Sequence, residues 1–290
     1  TSDVWNTSLP SNPRPVVVAF GGQNSKVIAI DENTYKSCPI FRHHLDCCQR
    51  ELKRFGYPGN FPYIFQSRPI EDPVILHSAL FSVQYSSAKA WVESGLAVAK
   101  VIGHSFGELT ALCMSGILSL PDGLKLVGGR ARLMKEKWGP DPGSMLLFET
   151  DPALLAEILH PDRVNVEVAC YNAQNLTVVS GSRSDVEVAQ QLLKESPKTS
   201  NVKTKILDVP FAFHSRFTDA ILHDLENLAT DLVFHKPSIP LETCLDEVTA
   251  GLPWPQRIRE HTRRPVFFNQ ALHKIHQELA GCCWLEAGTN

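Results

Sequence analysis

The chain alternates short apolar runs with longer helical stretches. Val16-Val17-Val18-Ala19-Phe20 is a largely β-branched run closed by Gly21-Gly22, which predicts a buried strand and a tight turn. Leu76, Leu80, Val83 and Trp91 mark the apolar side of a helix predicted over about 73–94. Val98 to Gly103 predicts a second buried strand, and Phe106 to Gly116 the helix that follows it. Pro121 fits the first turn of a further helix ending near Gly139. Strand, helix, strand and helix in this order predict a parallel sheet with helices on its faces.

The texture then changes. Met145 to Glu149 predicts a strand, and Asp151-Pro152 pairs a cap with a first-turn proline, opening a helix to about His160. Val164, Val166, Val168 and Cys170 alternate with other residues, which predicts a half-buried strand. Leu176 to Ser180 predicts another. Arg183 to Glu195 reads as a helix, with Ser182 three residues ahead of Asp185 as a capping box. Lys203 to Val209 reads as a last strand. The order β-α-β-β-α-β is that of a ferredoxin-like unit, so 143–209 is expected as a small subdomain inserted in a larger α/β core. A helix over about 215–230 returns the chain to that core. Residues 231–265 read as Pro-rich and irregular, apart from a short strand at Ile239 to Thr243. A helix over about 266–280 and a strand at Cys283 to Glu286 complete the core. No internal repeat appears beyond the β-α-β symmetry.

Composition narrows the classes. Hydrophobic residues are 43% and charged residues 20% of 290, which excludes disorder and low complexity for most of the chain. Lys+Arg number 28 and Asp+Glu 31, a net charge of −3; nucleic acid is therefore not an expected partner. No run of about 18 apolar residues occurs, so no membrane span is expected. Eight cysteines include two adjacent pairs, Cys47-Cys48 and Cys282-Cys283, with no CxxC or Cys/His metal spacing. Buried reduced thiols in a cytoplasmic protein are expected, and no metal. Thr1 to Pro15 is polar and Pro-rich and lacks a starting Met, so it is expected to be a linker in a longer protein.

Gly103-His104-Ser105-Phe106-Gly107 fits G-x-S-x-G between a predicted strand and a predicted helix. Such a turn holds the serine in a strained conformation with its hydroxyl exposed. The two glycines are expected to leave room for the turn and for substrate. The amide of Phe106 would face a developing oxyanion at the helix start, where the helix dipole is favourable. The plainer alternative is a serine that only caps the helix. A nucleophilic serine needs a base; of the 11 histidines, pattern alone does not choose among His214, His104 and His77.

Six ordered motifs carry a resemblance. They are Gly22-Gln23, Gly103 to Glu108, Arg130 to Met134, Ala169 to Asn172, Ala212 to Ser215 and Leu285 to Gly288. Together they resemble the malonyl-CoA:acyl-carrier-protein acyltransferases of fatty acid and polyketide synthases. The stretches Gly103 to Leu120, Lys137 to Pro140, Pro240 to Cys244 and His261 to Val266 are similar to the acyltransferase domain of fungal iterative non-reducing polyketide synthases. The resemblance implies an α/β-hydrolase-like parallel-sheet core, 16–142 and 210–290, with the ferredoxin-like subdomain 143–209 inserted. It implies Ser105 as acylated nucleophile and His214 as base and then acid. Gln23 and Phe106 would supply the oxyanion amides. Arg130 would pair with the free malonyl carboxylate, through a bidentate geometry that lysine does not offer. Phe213 would fill the space beside the central carbon of the substrate. His104 and Asn172 fall near the acyl pocket, and His261 falls where relatives have Gln or Asn helping to orient the catalytic histidine. Arg132, two residues beyond Arg130, would point elsewhere.

The implied donor is malonyl-CoA, and the acceptor the phosphopantetheine of an acyl carrier protein. Adjacent ketosynthase and other polyketide synthase domains are the implied neighbours, and the domain itself would bind no cofactor. Arg257, Arg259, Arg263 and Arg264 form either a basic rim for an acidic carrier or a solvated neutral face. Three rivals stand beside this reading. A serine thioesterase or esterase would need an acid between Ser105 and His214, with Asp208 the nearest candidate. A starter-unit transacylase would leave Arg130 unpaired beside an alkyl chain. A non-catalytic docking domain would need none of Ser105, His214 and Arg130.

Overall fold

The structure, a computed structural model, describes residues 13–209 and 211–288. Residues 1–12 of the expected linker lie outside the described residues; Arg14 Nε donates to the Gly281 carbonyl at 2.6 Å. The chain opens with β1 (Val16–Phe20), α1 (Glu32–Ser37), α2 (Pro39–Arg54), α3 (Pro73–Glu93), β2 (Val98–Gly103), α4 (Phe106–Met114) and α5 (Leu120–Lys137). Next come β3 (Ser144–Phe148), α6 (Pro152–Ile158), β4 (Glu167–Ala173), β5 (Leu176–Gly181), α7 (Arg183–Glu195) and β6 (Thr204–Ile206). The last stretch holds α8 (Asp219–Thr230), β7 (Leu241–Glu242), α9 (Glu247–Ala250), α10 (Trp254–Arg263), α11 (Phe268–Glu278) and β8 (Cys283–Ala287).

Two sheets result. One is wholly parallel in the order β7-β2-β1-β8. Helices cover it, so Val17, Val18 and Phe20 are all buried and the strand is apolar without alternation. The other is antiparallel in the order β4-β5-β3-β6, the spatial order of a ferredoxin-like unit. The fold class is the expected α/β architecture with an antiparallel companion sheet. The connection between α10 and α11 is tied to the antiparallel sheet: Val266 donates to the Ala169 carbonyl of β4 and Tyr171 of β4 donates to the Val266 carbonyl, both at 2.9 Å.

α3 is the central helix. Asp72 caps it by accepting from Val74 and Ile75, and Pro73 occupies its first turn. Every residue from Val74 to Ser86 is buried, so the helix is enclosed on all sides, polar His77, Ser78, Ser82, Gln84 and Ser86 included, rather than along one stripe. α2 presents Phe41, Leu45, Cys48 and Leu52 to the core at helical spacing. All eight cysteines are free.

Several elements differ from the sequence expectation. Residues 231–265 are not irregular, because α9 and α10 form there. Pro255 lies in the first turn of α10, where a missing N–H costs nothing, so that proline starts a helix rather than excluding one. β4 begins at Glu167, after Val164 and Val166, and register shifts within it break the alternation. β6 has three residues, against the seven expected from Lys203 to Val209. The Ser182 hydroxyl accepts from the Asp185 amide and donates to the Asp185 carboxylate, so the cap is not a reciprocal box.

The elbow glycines have a backbone reason. A Cβ on Gly107 would lie 2.1 Å from the Phe20 carbonyl oxygen, and one on Gly103 would lie 2.1 Å from the Glu108 nitrogen. The space they keep is for main chain, not for the substrate that sequence reasoning assigned to it. Gly107→Ala is therefore expected to destabilise the fold by about 1–3 kcal/mol through overpacking. Gly251→Ala, whose nearest neighbour would be an ordinary 3.5 Å away, is expected to change stability by less than about 0.5 kcal/mol. Urea denaturation of both variants checks this, and equal losses would refute it.

Candidate active site

Two residues stand out by backbone alone. Among the described residues, Ser105 (φ 50) and His214 (φ 56) are the non-glycine residues with positive φ. Such conformations cost about 1–3 kcal/mol each and persist where surrounding structure enforces them. Ser105 sits between β2 and α4, and Ser180 Oγ pins the loop of His214 by donating to the Phe213 carbonyl at 2.7 Å. The Ser105 hydroxyl makes no capping bond to α4. It lies 2.7 Å from His214 Nε2, so the helix-cap alternative is discarded.

The tautomer of His214 follows from its other nitrogen. Nδ1 is 2.9 Å from the Arg264 carbonyl oxygen, which can only accept, so Nδ1 carries the hydrogen. Nε2 is then bare and accepts from the serine hydroxyl. His261 Nε2 is 3.0 Å from the Ser105 carbonyl oxygen and donates to it. The expectation that His261 orients His214 is corrected on this point: the Arg264 backbone holds the ring, and His261 holds the serine.

A cleft of about 600 Å³ runs between the two sheets and contains Ser105, His214, Gln23, Phe106, Arg130 and Phe213. Asn172 and His104 line it too, with His104 Nε2 donating to Asn172 Oδ1 at 2.7 Å. Of the nine site residues expected from the resemblance, eight line this cleft; His261 does not, and contacts the Ser105 carbonyl instead. Arg130 reaches the cleft from α5 and is 4% exposed. Its guanidinium lies 5.2 Å from the Phe213 ring centroid. Its Nε has no hydrogen-bond partner, and Nη1 meets the Met134 thioether at 3.6 Å. No carboxylate pairs with it among the described residues. Burial lowers its pKa to about 10, so it stays charged at neutral pH. Arg132 instead lies on the Tyr57 ring, 4.7 Å from its centroid.

The four arginines after residue 256 are already engaged. Arg259 pairs with Glu226, Arg263 with Glu167 and Asp219, and Arg264 with Glu260 and Asp246. Arg257 lies 4.5 Å from the Trp254 ring centroid. Arg259, Arg263 and Arg264 thus lie in a charge-paired face, and Arg257 stacks on Trp254 without a carboxylate partner. His77, a rival base by pattern, is buried in α3 and donates from Nε2 to Gln23 Oε1 at 2.8 Å. His77 carries no distinguishing signal in the sequence, since α3 also holds Ser78, Ser82, Gln84 and Ser86 among its buried residues. The Arg264 carbonyl has no signal, since any residue supplies one. Among the described residues no cluster of His, Cys, Asp and Glu could hold a metal ion, and no helix is long and apolar enough to cross a membrane.

Burial holds the site histidines neutral. It pulls His214 well below the usual histidine range, helped by His261, Arg130 and His104. It does the same to His77, helped by Arg130, lowers His104, and brings His261 down to about 4. The unfolded chain binds these protons below about pH 6.5, and the folded chain does not. Stability is therefore present above that pH and is lost as pH falls, by roughly 1.4 kcal/mol per unit for each such group. Glu108 opposes this between about pH 4.5 and 7, because burial raises its carboxyl to about 7. Four histidines outweigh one glutamate, so the urea midpoint is expected to drop from pH 7 to pH 5. A flat or rising midpoint would contradict the neutral assignment.

Comparison with known proteins places the chain in a family. Residues 19–282 match the model of the acyl transferase domain family. The chain is 46% identical over 290 residues to methylphloroacetophenone synthase of Cladonia uncialis, covering 98% of this chain and 11% of that protein. It is 41% identical over 280 residues to the non-reducing polyketide synthase mapC of Penicillium roqueforti, covering 96% and 11%. The chain thus spans about 11% of the length of these relatives. The crystal structure of the acyltransferase domain from the second module of the salinomycin polyketide synthase superposes with a TM-score of 0.85 at 26% identity. That match covers 97% of this chain and 65% of the other. The chain belongs to the acyl transferase domain family, in the form found within fungal non-reducing polyketide synthases.

Proposed function

We propose that this domain moves a malonyl group from malonyl-CoA to the phosphopantetheine thiol of an acyl carrier protein, through a malonyl ester on Ser105. The observation that carries the reading is the buried, unpaired guanidinium of Arg130 in the cleft wall. An isolated buried charge is costly, and a carboxylate on the acyl group supplies its partner. A neutral starter acyl chain would leave that cost in place.

The chemistry follows from the tautomer. His214 Nε2 takes the Ser105 proton as Oγ attacks the thioester carbonyl. The oxyanion sits between the amides of Gln23 and Phe106, the latter at the start of α4. The C–S bond breaks, His214 returns its proton to the departing thiolate, and CoA leaves. The carrier thiol then gives its proton to Nε2 and attacks the ester; as the C–O bond breaks, His214 passes that proton to Ser105 Oγ and the serine is restored, while Arg130 holds the carboxylate. His214 leans on the Arg264 carbonyl and not on Asp208, which speaks against a hydrolase triad. A cleft walled by both sheets limits water, so transfer competes with hydrolysis. Phe213 fills the space a 2-methyl group would need. We also propose the division into 16–142 with 210–290 and an inserted 143–209, and adjacent ketosynthase and carrier domains as partners.

Radiolabelled malonyl-CoA is expected to label the wild type and not Ser105→Ala. Arg130→Ala is expected to lose about 100-fold or more in malonyl kcat/KM, in line with breaking a buried charge pair, and to lose its preference over acetyl-CoA. Free malonate released with no labelled protein would favour a hydrolase instead. Phe213→Ala is expected to raise methylmalonyl relative to malonyl transfer by about 10-fold, the scale of one added methyl in a packed pocket. Competition between the two thioesters measures it, and an unchanged ratio would remove Phe213 from specificity.

A further inference from the structure

One peptide group at the elbow faces two ways. The bond joining Ser105 to Phe106 offers its N–H as the oxyanion donor proposed above. Its carbonyl accepts from the Glu108 amide at 3.0 Å and from His261 Nε2 at 3.0 Å. His261 is buried on α10, and its Nδ1 has no partner. Its ring stands at 89° to that of His214 with centroids 6.1 Å apart. His261 is thus a rigid neutral donor whose hydrogen goes to the serine carbonyl.

The orientation of that peptide plane is set by the Ser105 ψ of −116°, in a strained backbone region. A donor on the carbonyl holds the plane. It also polarises the amide, which strengthens the N–H on the other side. We propose that His261 is a positioning residue that fixes and polarises the Ser105–Phe106 peptide, aiming the Phe106 amide at the oxyanion. The inference rests on the acyl-transfer reading above.

His261→Gln and His261→Met have side chains of similar size and shape, and only Gln keeps an N–H. The test uses the whole chain with radiolabelled malonyl-CoA and follows single-turnover acylation, its KM and its pH profile. Infrared spectroscopy of the ¹³C-labelled ester on Ser105 reports the field at the carbonyl. The Met variant is expected to acylate about 10- to 100-fold more slowly, by analogy with loss of an oxyanion donor. Its KM should stay within about twofold, its acid limb should not move, and its ester carbonyl stretch should rise. The Gln variant is expected within about threefold of wild type, with the wild-type stretch. Wild-type rate in the Met variant overturns the proposal. So does a shifted acid limb, which would place the effect on His214, or a folded Gln variant as slow as Met. If the Met variant does not fold, the Gln variant decides: an unchanged stretch supports the proposal and a raised one overturns it. An unlabelled wild type would refute acyl transfer itself, whereas a labelled wild type with an equally fast Met variant refutes only the role of His261.

Discussion

A positive charge sealed into an apolar wall without an acid beside it governs this site. Burial, with a smaller contribution from Arg130, lowers the pKa of His77, His214 and His261, so the guanidinium proposed to meet an anion also adds to what keeps His214 neutral. The two effects share one geometry, because Phe213, over which the guanidinium lies, is the neighbour of His214 in sequence. A carboxylate arriving at Arg130 would relieve part of that repulsion and raise the basicity of His214 once substrate is in place.

The rest of the site hangs on main chain. A carbonyl holds each of the two histidines nearest the serine, that of Arg264 for His214 and that of Ser105 for His261. No carboxylate is needed to choose the tautomer, because a carbonyl oxygen selects an N–H as firmly. Glycines at 103 and 107 belong to the same economy of backbone: β1, β2 and the start of α4 approach too closely for side chains. The catalytic geometry is therefore set by the sheet itself.

That construction explains what could be read beforehand. Side chains with a pattern were legible: the G-x-S-x-G turn, the apolar β1 and β2, the caps at Asp151 and Ser182, and the six motifs. Contacts made by generic atoms were not. No residue type announces the Arg264 carbonyl, and His261 was assigned to the wrong neighbour because its ring approaches both Ser105 and His214. α10 was hidden by Pro253 and Pro255, which signal loops and helix starts alike. α2 was not read from the sequence, although Phe41, Leu45, Cys48 and Leu52 mark its core face at helical spacing, whereas α3, expected over about 73–94, is found at Pro73–Glu93.

The stitch at Val266 reaches further than two hydrogen bonds suggest. Val266 lies two residues beyond Arg264, and its partners Ala169 and Tyr171 belong to β4 of the antiparallel sheet. The connection that steadies the imidazole is thus anchored to β4, which lines the cleft from the antiparallel sheet. A rocking motion that widened the entrance would pull on that same short segment and, through the Arg264 carbonyl, on the ring of His214.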